Sequence, residues 1–221
     1  TLVSGIIGGL YSSTATISVL ARKSRKASEQ EATEYVAAML LAVSMMFLRF
    51  MILILIFSRE IFLSIYPYLL IMSVVSAIVG WFVHSRQKLP KDTSVESEED
   101  DSSNPLGFKV ALIFAVLFVV FTVLTHYTLV YAGTSGLNLL SFVSGFSDIT
   151  PFILNLLQNT GSVAVLIITA CSMQAIVSNI LVNMFYALFF AGKRSKLRPW
   201  ILGGFGAVIA CNLVLLLFFY L

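Results

Sequence analysis

Gly145-Phe146-Ser147-Asp148-Ile149-Thr150-Pro151 sets a carboxylate inside an apolar run, Leu139 to Leu157, with a helix breaker three residues later. An Asp at the centre of a membrane helix costs about 2.5–3.5 kcal/mol on insertion scales, which argues for a role beyond packing. Pro151 has no N–H and so frees the carbonyl one turn back, that of Ser147. That carbonyl, the carboxylate and the hydroxyls of Ser147 and Thr150 make an oxygen-rich spot at membrane depth. The stretch reads as half of an ion or solute site in a transport protein.

The rest of the chain supplies the membrane context. Of its 221 residues, 58% are hydrophobic and 11% charged, with a mean hydropathy of +0.95. A soluble domain carries about 25% charged residues. Long continuous apolar runs exclude a β-barrel, whose strands alternate in short segments. The expected fold is all-α: a polytopic helical membrane protein of six to seven transmembrane segments with the lipid bilayer as its partner. The net charge of +3 sits in loops, where it sets topology. No aromatic-laced basic surface suggests nucleic acid. Cys171 and Cys211 lie inside apolar spans, so no disulfide is expected. The chain opens at Thr1 without a basic n-region or cleavage site, unlike a signal peptide. It reads as the C-terminal part of a longer membrane protein, with an N-terminal membrane domain and further copies of itself as candidate partners.

Working outward from Asp148, the apolar segments fall at Leu2–Ala21, Ala32–Phe57, Ile61–Val83, Val110–Val130, Leu137–Leu157, Gly161–Ala191 and Pro199–Leu221. The first holds Gly5, Gly8 and Gly9, then Ser12, Ser13, Thr14 and Thr16, a composition for close helix approach or a locally unwound helix. The second carries Arg49 too deep to snorkel easily. Pro67 is a candidate kink in the third. The sixth, about 45 Å if fully helical, exceeds the hydrocarbon core and should tilt or protrude; it carries Asn179 and Asn183 on one face. Residues 86–108 read as an acidic disordered linker between two membrane halves, 1–85 and 109–221.

Basic clusters follow the first, third and sixth segments. If all seven segments cross, the last cluster falls opposite the other two. The positive-inside rule is satisfied if Leu137–Leu157 enters and leaves on the same face as a re-entrant hairpin, with Asp148 and Pro151 at its turn. An internal repeat supports two such breaks: Gly9-Leu10-Tyr11-Ser12-Ser13-Thr14 matches Gly145-Phe146-Ser147-Asp148-Ile149-Thr150 in pattern. Each precedes a long helix with a polar residue, Arg49 in one and Asn179 in the other. Proteins built from such repeats place a site where the broken segments meet.

Gly8-Gly9-Leu10-Tyr11-Ser12-Ser13-Thr14-Ala15-Thr16 through Leu20-Ala21-Arg22, with Met46-Phe47-Leu48-Arg49, Gly145-Phe146-Ser147-Asp148-Ile149-Thr150 and Ala175-Ile176-Val177-Ser178-Asn179, resembles the C-terminal membrane domain of MgtC/SapB-type bacterial proteins. Asn183 stands where that pattern often has Lys. The resemblance implies an integral protein of the bacterial inner membrane. It implies no activity, because that domain is itself of unknown function.

The candidate binding residues are Ser12, Ser13, Thr14, Thr16, Arg49, Ser147, Asp148, Thr150, Asn179 and Asn183. Arg49 and Asp148 are expected to pair, since lone charges in lipid are costly. The expected function is a secondary transporter or carrier of a small inorganic ion or solute. The alternative is a non-transporting membrane module that binds or regulates a partner protein. His84 and His126 have no metal-ligand spacing, and no nucleophile elbow or P-loop occurs. The expectation is therefore no enzyme and no cofactor, with metal binding left open.

Overall fold

The computed structural model describes residues 1–25, 27, 29–86, 106–158, 163–192 and 197–220. Among them are seven α-helices and no strand: α1 Leu2–Ser24, α2 Glu29–Phe57, α3 Arg59–Ser85, α4 Leu106–Ser144, α5 Ile149–Gln158, α6 Val165–Ala191 and α7 Leu197–Tyr220. All but α5 contain a stretch long and apolar enough to cross a membrane. The all-helical membrane fold is thus as the sequence indicates. The acidic stretch of the expected linker lies outside the described residues, and α4 already begins at Leu106.

Length misleads for α1. Ser12 interrupts it with extended dihedrals (φ −155°, ψ 108°), and the chain folds back. A Cβ on Gly8 would stand 2.5 Å from the Thr16 hydroxyl, whereas residues eight apart in a continuous helix are about 12 Å apart. Residues 2–11 and 13–24 are therefore the two arms of a hairpin, each about 15–18 Å long, half the hydrocarbon thickness. The first arm runs alongside α2 in the same direction. Gly5 lies on the backbone of Ala38, and Gly9 lies on that of Ala42.

The second break has the same construction. At Gly133 (φ 56°, ψ −147°) the backbone enters a region essentially reserved for glycine. Beyond it α4 turns back on itself: a Cβ on Gly136 would stand 2.7 Å from Thr128 Cγ2, eight residues earlier. Residues 134–144 then run alongside α6, with Cys171 bonded to Asn138 and Gly145 pressed on Ser178 and Asn179. After the turn at 145–148, α5 must return to the end it came from. Gln158 and Val165 are joined by seven peptide steps, which span at most about 25 Å. Continuing onward would separate them by about 35 Å, given 1.5 Å per helical residue along both α5 and α6. Phe152 against Phe121 (5.5 Å between centroids) and Asn155 against Thr122 (2.9 Å) place α5 beside α4 accordingly.

Both hairpins sit at the same register on the long helix that follows them. Gly5 with Ala38, Gly9 with Ala42, Asn138 with Cys171 and Gly145 with Ser178 are all 33 residues apart. The hairpins open toward opposite ends of the bundle, which makes the repeat an inverted one. In this register Arg49 and Asn179 are not equivalent. Arg49 follows Ser12 by 37 residues and Asn179 follows Asp148 by 31, so the two are offset by six residues, about 1.7 helical turns.

The second break enters and leaves at one end, as the charge distribution predicts. The first, counted as a span from its length, does so too. Gly192 after α6 lies 3.4 Å from the Arg25 Nε by its would-be Cβ. Arg22, Lys23, Arg25, Arg86 and Arg198 consequently gather at one end, called the basic end below. Pro151 differs from its expected role. It sits in the first turn of α5, where a missing N–H leaves no hydrogen bond unmade. The break therefore precedes it. Pro67 lies inside α3, where no interruption is present. Cys171 and Cys211 are free thiols.

Candidate functional site

Each hairpin tip is built by a cap. Ser12 has left the helix, and its Oγ accepts from Ala15 N (3.4 Å) at the start of the second arm. Asp148 plays the same part for α5, its Oδ1 accepting from Thr150 N at 3.0 Å. In the matched sequence pattern these two residues are equivalent. At both tips the chain thus stops, is capped, and sends a new helix back with its N-terminus facing the interior.

The carbonyls ending the first arms are engaged as well. Tyr11 O accepts from Arg49 Nη1 at 2.6 Å, and Ser12 O from Thr16 Oγ1 at 2.8 Å. Phe142 O accepts from Ser178 Oγ (2.6 Å) and Gly145 O from Asn179 Nδ2 (3.2 Å). Tightened turns close the remainder, Phe146 N on Val143 O and Ser147 N on Ser144 O, both 3.1 Å. Gly145 is required here: a Cβ would collide with the Ser178 side chain and the α6 backbone.

Between the tips lies a cavity of about 490 Å³. Ser12, Ser13 and Thr14 line it from one hairpin, and Ser147 and Asp148 from the other. Arg49 of α2 and Asn179 of α6 complete the polar wall. Seven of the ten residues selected from sequence therefore share one space. The other three stand behind it. Thr16 braces the break at Ser12, Thr150 accepts from Arg49 Nη2 at 3.3 Å, and buried Asn183 donates to Asn179 Oδ1 at 3.1 Å.

Arg49 and Asp148 do not form the expected ion pair; among the described residues no direct bridge joins them. The guanidinium is drawn to the Tyr11 carbonyl released at the Ser12 break, while the carboxylate is held by its cap. Thr150 links the two, giving its N–H to Asp148 and its hydroxyl oxygen to Arg49. Arg49 Nε is buried with no hydrogen-bond partner among the described residues.

Ser18, Tyr186 and Phe190 also line the cavity. A signal for them exists in the sequence. Ser18 is one turn after Thr14, and Tyr186 and Phe190 continue the Asn179 face at i+7 and i+11. A second space of about 540 Å³, lined by Arg22, Arg25, Phe189 and Phe190, lies at the basic end and shares Phe190 with the first. The Arg22 guanidinium carbon stands 4.4 Å above the Phe190 ring. Among the described residues no group of three or more His, Cys, Asp or Glu side chains is placed to hold a metal.

The chain is similar to an uncharacterized protein of Aquifex aeolicus (strain VF5), 25% identical over 217 residues, which is 97% of this chain and 93% of that protein. No solved structure matches it. The family described as Domain of unknown function (DUF4010) matches residues 1–191, which take in both hairpins and every residue of the cavity wall, and the chain belongs to that family.

Proposed function

We propose that the protein is a secondary transporter or carrier for a small ion or solute, without enzymatic activity, whose site is the cavity between the hairpin tips. One observation carries this reading. Two half-length hairpins, inserted from opposite ends, bring capped helix ends and Arg49 together midway through an apolar bundle. Irregular backbone and a lone guanidinium are expensive in lipid, and sites built from opposed broken helices are a recurring solution for moving a solute. The basic end faces the cytoplasm in this reading, by the positive-inside rule. The likeness to the C-terminal membrane domain of MgtC/SapB-type proteins adds a bacterial inner membrane, with an N-terminal membrane domain as neighbour.

The test is flux into proteoliposomes containing wild type or Asp148→Asn. Flux that changes with the substitution supports transport. Folded protein that moves none of a panel of ions turns the reading toward a partner-binding module. That second reading has its own observation, an apolar groove of about 550 Å³ between α3 and α7 lined by Phe82, Trp200, Gly203 and Gly204.

A further inference from the structure

We propose that the cavity takes a small anion of the oxyanion or carboxylate type, reaching it from the basic end past Phe190. This rests on the transport reading and adds the charge of the cargo. Four features of the site agree on the sign.

The first is what the cavity has left to offer. A cation needs oxygen ligands with free lone pairs. The tip carbonyls of Tyr11, Phe142 and Gly145 are turned to Arg49, Ser178 and Asn179 and their residues do not line the cavity, while Ser12 O already spends one of its two lone pairs on Thr16. Second, the helices that begin at the tips, residues 13–24 and α5, start at the cavity wall with Ser13, Thr14 and Ile149, and helix N-termini favour negative charge. Third, Arg49 is a fixed positive charge in the wall. Its two terminal nitrogens are anchored on Tyr11 O and Thr150 Oγ1, so the guanidinium is oriented before any ligand arrives.

Fourth, the approach is basic. Among the described residues the outer space is lined by Arg22 and Arg25 and by no acidic side chain, and Phe190 is its common wall with the cavity. Positive mouths raise the local concentration of anions and their rate of entry. Arg22 over the Phe190 ring couples the mouth to that partition.

Among the described residues Asp148 is the one carboxylate in the cavity wall, and the obvious argument for a cation. Its Oδ1 is committed to the α5 cap. A cation drawn to its other oxygen would sit in the field of Arg49 and of two helix N-termini. An anion placed against Arg49 meets one carboxylate, already offset by the guanidinium with which it shares Thr150. Removing that carboxylate should therefore help an anion, whereas it would destroy a cation site.

The experiment measures ligand-induced thermal shifts of the purified full chain in detergent at constant ionic strength. The probes are the sodium salts of acetate, nitrate, phosphate and sulfate, with the chlorides of potassium and magnesium alongside. The expected result is stabilisation by at least one of the four anions. Its apparent affinity should fall at least tenfold in Arg49→Gln and be kept or strengthened in Asp148→Asn. Flux of the same anion into proteoliposomes should slow severalfold in Arg22→Gln/Arg25→Gln.

If Arg49→Gln does not fold, Arg49→Lys keeps the charge and loses the planar fork. Anion binding undiminished in Arg49→Gln overturns the proposal; where that variant does not fold, anion stabilisation that is kept in Arg49→Lys but lost in Asp148→Asn does so. Stabilisation by sodium, potassium or magnesium that Asp148→Asn abolishes overturns the anion while leaving the transport site in place. Folded protein that neither binds nor moves any of these salts overturns both.

Discussion

Arg49 and Asp148 are the two charges that the sequence singles out, and their surroundings predict different sensitivities. Asn caps a helix about as well as Asp, whereas an apolar residue in its place loses about 0.5–2 kcal/mol. Asp148→Asn should therefore unfold within about 0.5 kcal/mol of wild type in detergent, with Asp148→Leu clearly less stable. Arg49→Leu strips a donor from Tyr11 O and another from Thr150 Oγ1. A buried acceptor left without a partner costs about 1–3 kcal/mol and an exposed one less, so the part-buried Thr150 Oγ1 carries most of the loss, and this variant should be the least stable of the three. Equal losses from Asp148→Asn and Asp148→Leu would show that charge, not capping, is what Asp148 contributes to folding. The depth of both residues was legible because a charge inside an apolar run is conspicuous. Their partners were not. Arg49 bonds a backbone carbonyl that becomes available only because the chain breaks at Ser12, 37 positions earlier, and no side-chain pattern records that event.

At the scale of the element, the hairpins are where sequence and structure diverge. The break at Asp148 announces itself by a carboxylate and a proline. The break at Ser12 is written only in small residues, so α1 passes for an ordinary span of 23 residues. The reversal at Gly133 falls in the gap between Val110–Val130 and Leu137–Leu157, where the sequence already separates two segments, although the helix resumes directly on either side of it. Cross-linking tests the first hairpin directly. In a background with Cys171 and Cys211 replaced by Ala, the pair Gly8→Cys and Thr16→Cys should form a disulfide on mild oxidation, since the would-be Cβ of Gly8 is 3.2 Å from the Thr16 Cβ. A continuous helix cannot form that bond, so an unreactive pair would restore α1 as a crossing span. Glycine substitution tests the seating of both hairpins. Gly9→Ala and Gly145→Ala drive a methyl into the backbone of the following helix and should each cost about 1–3 kcal/mol in thermal or denaturant unfolding. Gly206 has open space around its Cβ position, so Gly206→Ala should be neutral or stabilising by up to about 1 kcal/mol. Equal behaviour of all three would mean that the hairpins are not packed at this register.

For the whole molecule, the inverted arrangement makes a prediction about sidedness. Reporter fusions after Arg25, within residues 87–105 and after Lys196 should all report one compartment, the cytoplasm if the positive-inside rule holds. A fusion after Gly133 should report the other. Disagreement between the first and third positions would contradict the proximity of Arg25 to Gly192. The overall plan was legible to the extent that charge counting could reach it: basic clusters after α1, α3 and α6 share an end only if the second break is re-entrant. What charge counting could not supply is the 33-residue register common to both units, because it depends on glycine-to-backbone contacts in three dimensions.

Each hairpin is about 15–18 Å deep, so the cavity lies near the electrical midpoint of the bilayer as well as its geometric one. Moving one elementary charge across a whole membrane corresponds to about 2.3 kcal/mol per 100 mV. A charge travelling from either surface to the hairpin tips crosses only part of that field, about half of it if the potential falls evenly along the path. Occupancy by an ion should therefore vary with voltage at about 1.1 kcal/mol per 100 mV, half the full value. Charge displacement recorded from oriented protein on a solid-supported membrane should show a fractional electrical distance near one half. A fraction near zero or one would place the occupied position at a surface, away from Ser12 and Asp148.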